Sequence, residues 1–275
     1  MHGFVVLPRR GVIAIGGDDR VGFLNNLVSN QVGDKPCYAL LLSPQGKFLH
    51  DFFIIPTKDA LLLDCEQERL PDLLQRLNRY KLRSHITAYD ASAHYAAVAV
   101  APAVPVDAPA ADIYADPRHA QLGQRILVAA DWLPDLKARL LAAGLSELEP
   151  EAYEQHRLAL CIPDGSRDLE PERAFPMDYG MDQLNAISFN KGCYIGQELT
   201  ARMKYRSLVK KKLCRVELQA PLPPPGTPIM AGLQEAGELR SGLGNQALAL
   251  LRLEFMGQTL SCNGASLEIM PELAS

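Results

Sequence analysis

Two proline-rich interruptions limit what this chain can become. Residues 101–112, A-P-A-V-P-V-D-A-P-A-A-D, and residues 221–228, P-L-P-P-P-G-T-P, can sustain neither strand pairing nor a helix interior, because proline lacks the amide proton and fixes φ. A chain of 275 residues punctuated in this way is longer than a typical domain of ~100–200 residues and is expected to fold as two or three packed units.

Ahead of the first interruption, residues 11–15 read as a strand and residues 21–28 as a helix that Asp18 or Asp19 can cap. Residues 38–42 and 47–55 read as strands joined by the turn S-P-Q-G, residues 60–64 as a third, and residues 66–81 as a helix with leucines at 70, 73, 74 and 77. Further on, residues 134–144 and 151–160 carry helical periodicity. Residues 163–177 are rich in Pro, Gly, Asp and Arg and are expected to be irregular and exposed, a kind of segment that often carries function. After the second interruption, short apolar stretches separated by glycines suit a small β-barrel or sandwich. The expected fold class is α+β, with an N-terminal part over 1–95, a middle part over 96–212 and a C-terminal barrel over 213–275.

With 28 Lys and Arg against 32 Asp and Glu, the net charge is -4, so bulk electrostatics give no hold on duplex nucleic acid. No stretch approaches the ~20 apolar residues of a membrane span, and the N-terminal residues lack the pattern of a cleaved leader. A cytoplasmic location, with no membrane partner, is the expectation. The cysteines at 37, 65, 161, 193, 214 and 262 include no C-x-x-C pair. A self-contained metal site is therefore not expected, and five of the six read as small buried hydrophobes.

Cys193 is the exception. Residues up to Phe189 read as a strand and residues 195–204 as a helix, with Leu199 and Met203 on its buried face and Glu198 and Arg202 as an i,i+4 pair. The thiol would then sit at the helix entrance beside Lys191, where exposed amides and an ammonium favour the thiolate. An inert, packed cysteine in a tight turn explains the same residues equally well.

The segment K-G-C-Y-I-G-Q-E, residues 191–198, resembles the signature of the YgfZ-type folate-binding proteins, which support iron–sulfur cluster assembly or repair and are similar to the aminomethyltransferase T-protein of the glycine cleavage system. The likeness extends over F-L-N-N-L-V-S-N-Q-V at 23–32, Y-A-L-L-L-S-P-Q-G-K-F-L-H-D at 38–51, R-L-A-L-C-I-P-D-G at 157–165 and F-P-M-D-Y-G-M-D-Q-L at 175–184. Gly237 with Ser241 and Gly242 matches the family's barrel pattern.

The resemblance implies a three-part T-protein-like fold around a central folate pocket. It implies tetrahydrofolate or a derivative as bound ligand, with Asp51, Asp164, Lys191, Tyr194, Gln197, Glu198 and Arg202 as candidate contacts. Cys193 is the candidate working group. Iron–sulfur assembly or client proteins are the implied partners, with no direct nucleic-acid contact and only indirect effects on tRNA modification. The oligomeric state is left open, a monomer included. A tetrahydrofolate-dependent aminomethyltransferase or demethylase is the competing reading. Against it, the two adjacent aspartates of the transferases correspond here to His50 and Asp51, and Gln31 stands where many relatives carry Asp. Residues 204–212 hold five basic side chains; a solvated face is the simplest reading, attraction of a folate tail or an acidic partner the alternative.

Overall fold

The computed structural model describes residues 1–206 and 208–271. The chain opens with β1 (Gly3–Val6), β2 (Arg10–Gly16), α1 (Arg20–Asn25), β3 (Cys37–Leu42), β4 (Phe48–Pro56), β5 (Ala60–Glu66), α2 (Leu70–Tyr80) and β6 (Thr87–Asp90). It continues through β7 (Tyr95–Ala101), β8 (Ala111–Ala115), β9 (Gln124–Ala129), α3 (Leu133–Ala142), β10 (Ser146–Glu147), α4 (Pro150–Ala159), the short α5 (Gly165–Asp168) and α6 (Gln197–Tyr205). The last strands are β11 (Lys211–Leu218), β12 (Pro228–Ala231), β13 (Gln234–Leu243), β14 (Gln246–Arg252), β15 (Leu260–Cys262) and β16 (Ala265–Ile269).

The first sheet has the order β3-β4-β5-β2-β6. Its strands β2 to β5 are apolar almost throughout because both faces are covered, while the edge strand β6 is largely exposed. Ile13, Phe52, Ile54 and Leu63 pack with α1 and α2 in one core, while Val12, Phe53, Ile55 and Leu62 face a second core at the centre of the molecule. The period of two in a strand therefore decides which core each residue serves.

The second sheet has the order β10-β1-β7-β9-β8. It recruits β1 from the start of the chain, antiparallel to β7, so the first two parts are interleaved rather than consecutive. The proline-rich segment after β7 is a loop inside this sheet, since β7 and β8 both pair with β9. Strands β11 to β16 close into a six-stranded barrel in the order β11-β14-β13-β12-β15-β16, around Val216, Ile229, Leu239 and Leu251. The α+β class and the terminal barrel are as expected.

One expected element does not form. The run ending at Phe189 is not a strand: residues 186–196 are irregular, and their polar groups bond to the loop after α1, where Ser188 N donates to Ser29 O at 2.9 Å. No helix of the described residues is long and apolar enough to cross a membrane.

Candidate functional site

The central core is crossed by charges. On β2, Arg10 donates to the Asp64 carboxylate on β5 at 2.6 Å, and Arg125 from β9 in the second sheet donates to the other Asp64 oxygen at 2.5 Å. Arg118 grips Asp116 with two bonds of 2.9 and 2.7 Å and also reaches the Tyr153 hydroxyl. Burial opposes ionisation of Asp64, but the two guanidiniums outweigh it and hold the carboxyl below its usual range. This network joins the first sheet to the second.

A second buried knot joins α4, α5 and the barrel. Arg157, with no exposed surface, donates to Glu154, Asp168, the Ile162 carbonyl and Ser241 Oγ on β13. Asp168 in turn accepts from the Ser241 amide at 2.8 Å. The pattern that places Ser241 beside Gly242 is thus a structural contact: a Cβ at Gly242 would come within 2.7 Å of the Gln246 carbonyl.

Between these two knots lies the turn carrying Asp164, Gly165 and Ser166. Asp51 points into this space from β4 and accepts from the Tyr38 hydroxyl at 2.7 Å through Oδ2. Its Oδ1 accepts nothing from the described residues and faces Gly165, where a Cβ would lie 3.0 Å from it and 3.1 Å from Glu66 Oε2. Gly165 has φ of +47°, so a side chain there would be strained as well as crowded. Burial, reinforced by Asp164 and Glu66, pushes the Asp51 carboxyl up, against Arg10 and the Tyr38 bond. Burial acts the same way on Asp164, but Arg157 and Arg167 take it down to about 2. Ser166 ties Glu66 with a 2.7 Å bond. Three carboxylates and their arginines therefore meet at one turn.

His50 does not join them. As the neighbour of Asp51 in a strand it points to the opposite face, where its ring bonds Asp72 on α2 at 2.8 Å. Burial first, then Arg69, brings its pKa down to about 4. The missing second aspartate of the transferases is thus not replaced by an imidazole in the same space.

The other candidate residues belong to the irregular segment before α6. Lys191 donates to the carbonyls of Val28 and Asn30, both at 2.7 Å, and burial lowers its pKa to about 8. Asn30 bonds to the carbonyls of Tyr38 and Asn185, and Ser29 Oγ to that of Ala186. Tyr194 is buried, its hydroxyl pushed up to about 12 by that burial, and Lys191 lies 5.3 Å from its ring. Gly196, at φ of +83°, sits against the β3–β4 turn so closely that a Cβ would be 2.7 Å from Ser43 O. Cys193 itself is exposed and makes no hydrogen bond to the described residues.

The thiol is not at the helix entrance. Gly196 is the cap of α6, so Cys193 precedes that cap by three residues, and the ammonium of Lys191 donates to carbonyls rather than to the Cys193 sulfur. Gln197 opens the helix, with its amide donating to Tyr194 O at 3.3 Å. Glu198 and Arg202 form the expected i,i+4 pair at 2.7 Å on an exposed face. Among the described residues no hydrogen bond or ion pair joins this segment directly to Asp51 and Asp164. Tyr38 stands between them, its carbonyl bound to Asn30 and its hydroxyl to Asp51. Nor do any three His, Cys, Asp or Glu side chains among the described residues converge as a metal site.

Reasoning from sequence missed Arg10, Tyr38, Glu66, Arg157 and Asp168. A signal was available: a charge inside an apolar strand, such as Asp64 in A-L-L-L-D-C or Arg125 in Q-R-I-L-V, must find a buried partner.

Comparison with known proteins now adds a lineage to this geometry. The chain is 32% identical over 282 residues to the mouse mitochondrial iron-sulfur cluster assembly factor IBA57, spanning 90% of this chain and 77% of that protein. It belongs to the IBA57 family of iron–sulfur cluster assembly factors. The human IBA57 is 32% identical over 278 residues, covering 89% of this chain and 76% of its own length, and the homologue from Coccidioides immitis is 30% identical over 330 residues, covering 98% and 75%. Residues 210–274 match the model of the CAF17 C-terminal beta-barrel domain. The fold is that of glycine cleavage system aminomethyltransferase T from Bartonella henselae, with a TM-score of 0.78 over 98% of this chain and 85% of that one at 14% identity.

Membership in the IBA57 family agrees with the resemblance carried by K-G-C-Y-I-G-Q-E. It also corrects the cytoplasmic expectation: these relatives are mitochondrial by name. Composition and the lack of a long apolar run do not assign a compartment.

Proposed function

We propose that this IBA57-family protein acts in the maturation or repair of [4Fe-4S] proteins through the Cys193 thiol, handling the cluster as cargo shared with a partner. One observation carries the reading. The only exposed cysteine among the described residues lies in a segment whose backbone is braced by Lys191, Ser29, Asn30 and Gly196. A thiol held in place with no hydrogen-bond partner among the described residues is available to a metal or another thiol, and with no cluster of metal-ligating side chains among those residues it holds neither for long. Effects on tRNA modification follow indirectly, through cluster-dependent enzymes. In a strain lacking the native protein, Cys193→Ala should fold normally and fail to restore aconitase-type activity. Restoration to wild-type level would remove the thiol from the function.

Tetrahydrofolate is the proposed ligand of the turn at Gly165. A pterin edge offers adjacent N–H donors, and Asp51 Oδ1 is an acceptor without a partner among the described residues, flanked by Glu66 and Asp164. Arg9, an exposed guanidinium 3.7 Å from Asp164, is suited to the glutamate tail. Calorimetric titration with tetrahydrofolate should show binding that Asp51→Asn weakens about tenfold or more, the scale of one charge-assisted hydrogen bond. Equal affinity would move the ligand elsewhere. Aminomethyl transfer is disfavoured because His50 faces α2 and offers no second proton-handling group beside Asp51.

A further inference from the structure

The surface beyond the C-terminal end of α6 has a character unlike the rest of the molecule. Of the large apolar side chains exposed among the described residues, Tyr205, Leu208, Leu253 and Met256 gather here, Tyr205 being 73% exposed. Backbone bonds make them neighbours: Leu208 N donates to Met203 O, and Leu253 N to Lys210 O. Leu253 and Met256 line a cleft of about 1030 Å³ between α6, residues 177–184 and the barrel, whose wall includes Met177, Met203 and Leu213. Lys204, Lys211, Lys212 and Arg215 line it, Arg206, Lys210 and Arg252 lie next to these in sequence or strand pairing, and the acids in its wall are Asp178 and Asp182, the latter bonded to Lys204 at 2.6 Å. In a chain of net charge -4, a positive patch with an apolar centre is a local departure, and that combination is the chemistry of a protein interface.

The patch also touches the segment that carries the Cys193 thiol. Phe189, four residues before Cys193, packs edge-on against Tyr205 with ring centres 6.0 Å apart, and Lys204 lies 5.6 Å from the same ring. We infer that the surface formed by Tyr205, Leu208, Lys210, Arg252, Leu253 and Met256 is the docking face for an acidic, apolar-centred protein partner, oriented so that the partner's cluster or thiol meets Cys193. The inference rests on the reading of Cys193 given above. A protein is favoured over RNA because the exposed apolar side chains would be wasted on a phosphate backbone, and methionines in the cleft wall adapt to apolar partners.

Two measurements separate this inference from the thiol reading. The first is fluorescence anisotropy of a labelled fourteen-residue peptide of alternating Glu and Leu, beside the same peptide with Lys for Glu and a single-stranded RNA of similar length. The acidic peptide should bind the wild type and Cys193→Ala alike, weaken with added salt, and lose at least tenfold in affinity to Lys210→Glu/Arg252→Glu and to Leu253→Ser/Met256→Ser. The second is rescue of aconitase-type activity, which both double variants should lose while keeping the wild-type melting temperature. Preference for RNA, equal binding by the double variants, or full rescue by either folded one overturns the docking face and leaves Cys193 untouched. Rescue by Cys193→Ala with peptide binding intact overturns the thiol reading instead.

Discussion

At the knot around Arg157, every charged group is answered by a partner, whereas around Cys193 the backbone is held and the side chain is left open. Arg157 serves Glu154, Asp168, Ile162 and Ser241 at once, and nothing is left over for a ligand. In the Cys193 segment the bonds run from Lys191, Ser29 and Asn30 to main-chain oxygens, so position is fixed while the sulfur stays free. Both regions coincide with motifs of the family. One motif records what fastens the barrel to α4 and α5, the other what the fold presents.

The contrast can be broken first at the knot. Arg157→Met leaves the Asp168 carboxylate and the Ser241 hydroxyl buried without their cation, and loss of one partner from a buried pair costs about 3–5 kcal/mol. Urea unfolding should show a midpoint lowered accordingly, with the barrel losing its protection from hydrogen exchange. A cost under about 1 kcal/mol would mean that water replaces the guanidinium and that the parts are not joined there.

His50 offers the next largest effect, and its sign is set by its folded pKa. The unfolded chain takes up a proton at this imidazole near the ordinary value of 6.5, and the folded protein refuses it until about 4. Stability due to this group is therefore present above pH 6.5 and falls as pH drops through that window, by about 3 kcal/mol in full. His50→Gln should flatten the curve of stability between pH 6.5 and 4. Asp64, held down by its arginines, acts only at lower pH.

Smaller again is Lys191→Met, which removes two charge-assisted bonds at a partly buried site and should cost about 1–3 kcal/mol. Its informative readout is limited proteolysis: cleavage within residues 186–196 should quicken while the rest of the chain stays resistant. An unchanged digest would show that Ser29 and Asn30 suffice as the brace.

How much of this was readable beforehand depends on the range of the interaction. The strands on both sides of the S-P-Q-G turn, helix α2 and the glycine-punctuated barrel follow from local periodicity and turn chemistry. The pairing of β1 with β7 does not, because a sheet edge accepts any strand that the chain can deliver, and the first residues carry no mark of their partner. The run before Phe189 reads as a strand and is irregular, because apolar content alone does not tell pairing from packing. Its polar groups are satisfied across the molecule at Ser29. The turn joining Asp51, Glu66 and Asp164 is a product of three separate segments, and only the family motif hinted that two of them meet. The signature singles out Cys193, while the helix entrance expected beside it lies three residues further on, at the Gly196 cap.

The smallest stability effect is expected where the functional effect is greatest. Cys193→Ala removes an exposed sulfur with no hydrogen bond to the described residues, so thermal or urea unfolding should change by no more than about 0.5 kcal/mol. A loss well above that would show the thiol packed against something, and the segment would then be built like the knot rather than opposite to it. If stability holds while rescue is lost, the two regions divide the work: Arg157 fastens the barrel to α4 and α5, and the braced segment holds one exposed sulfur still.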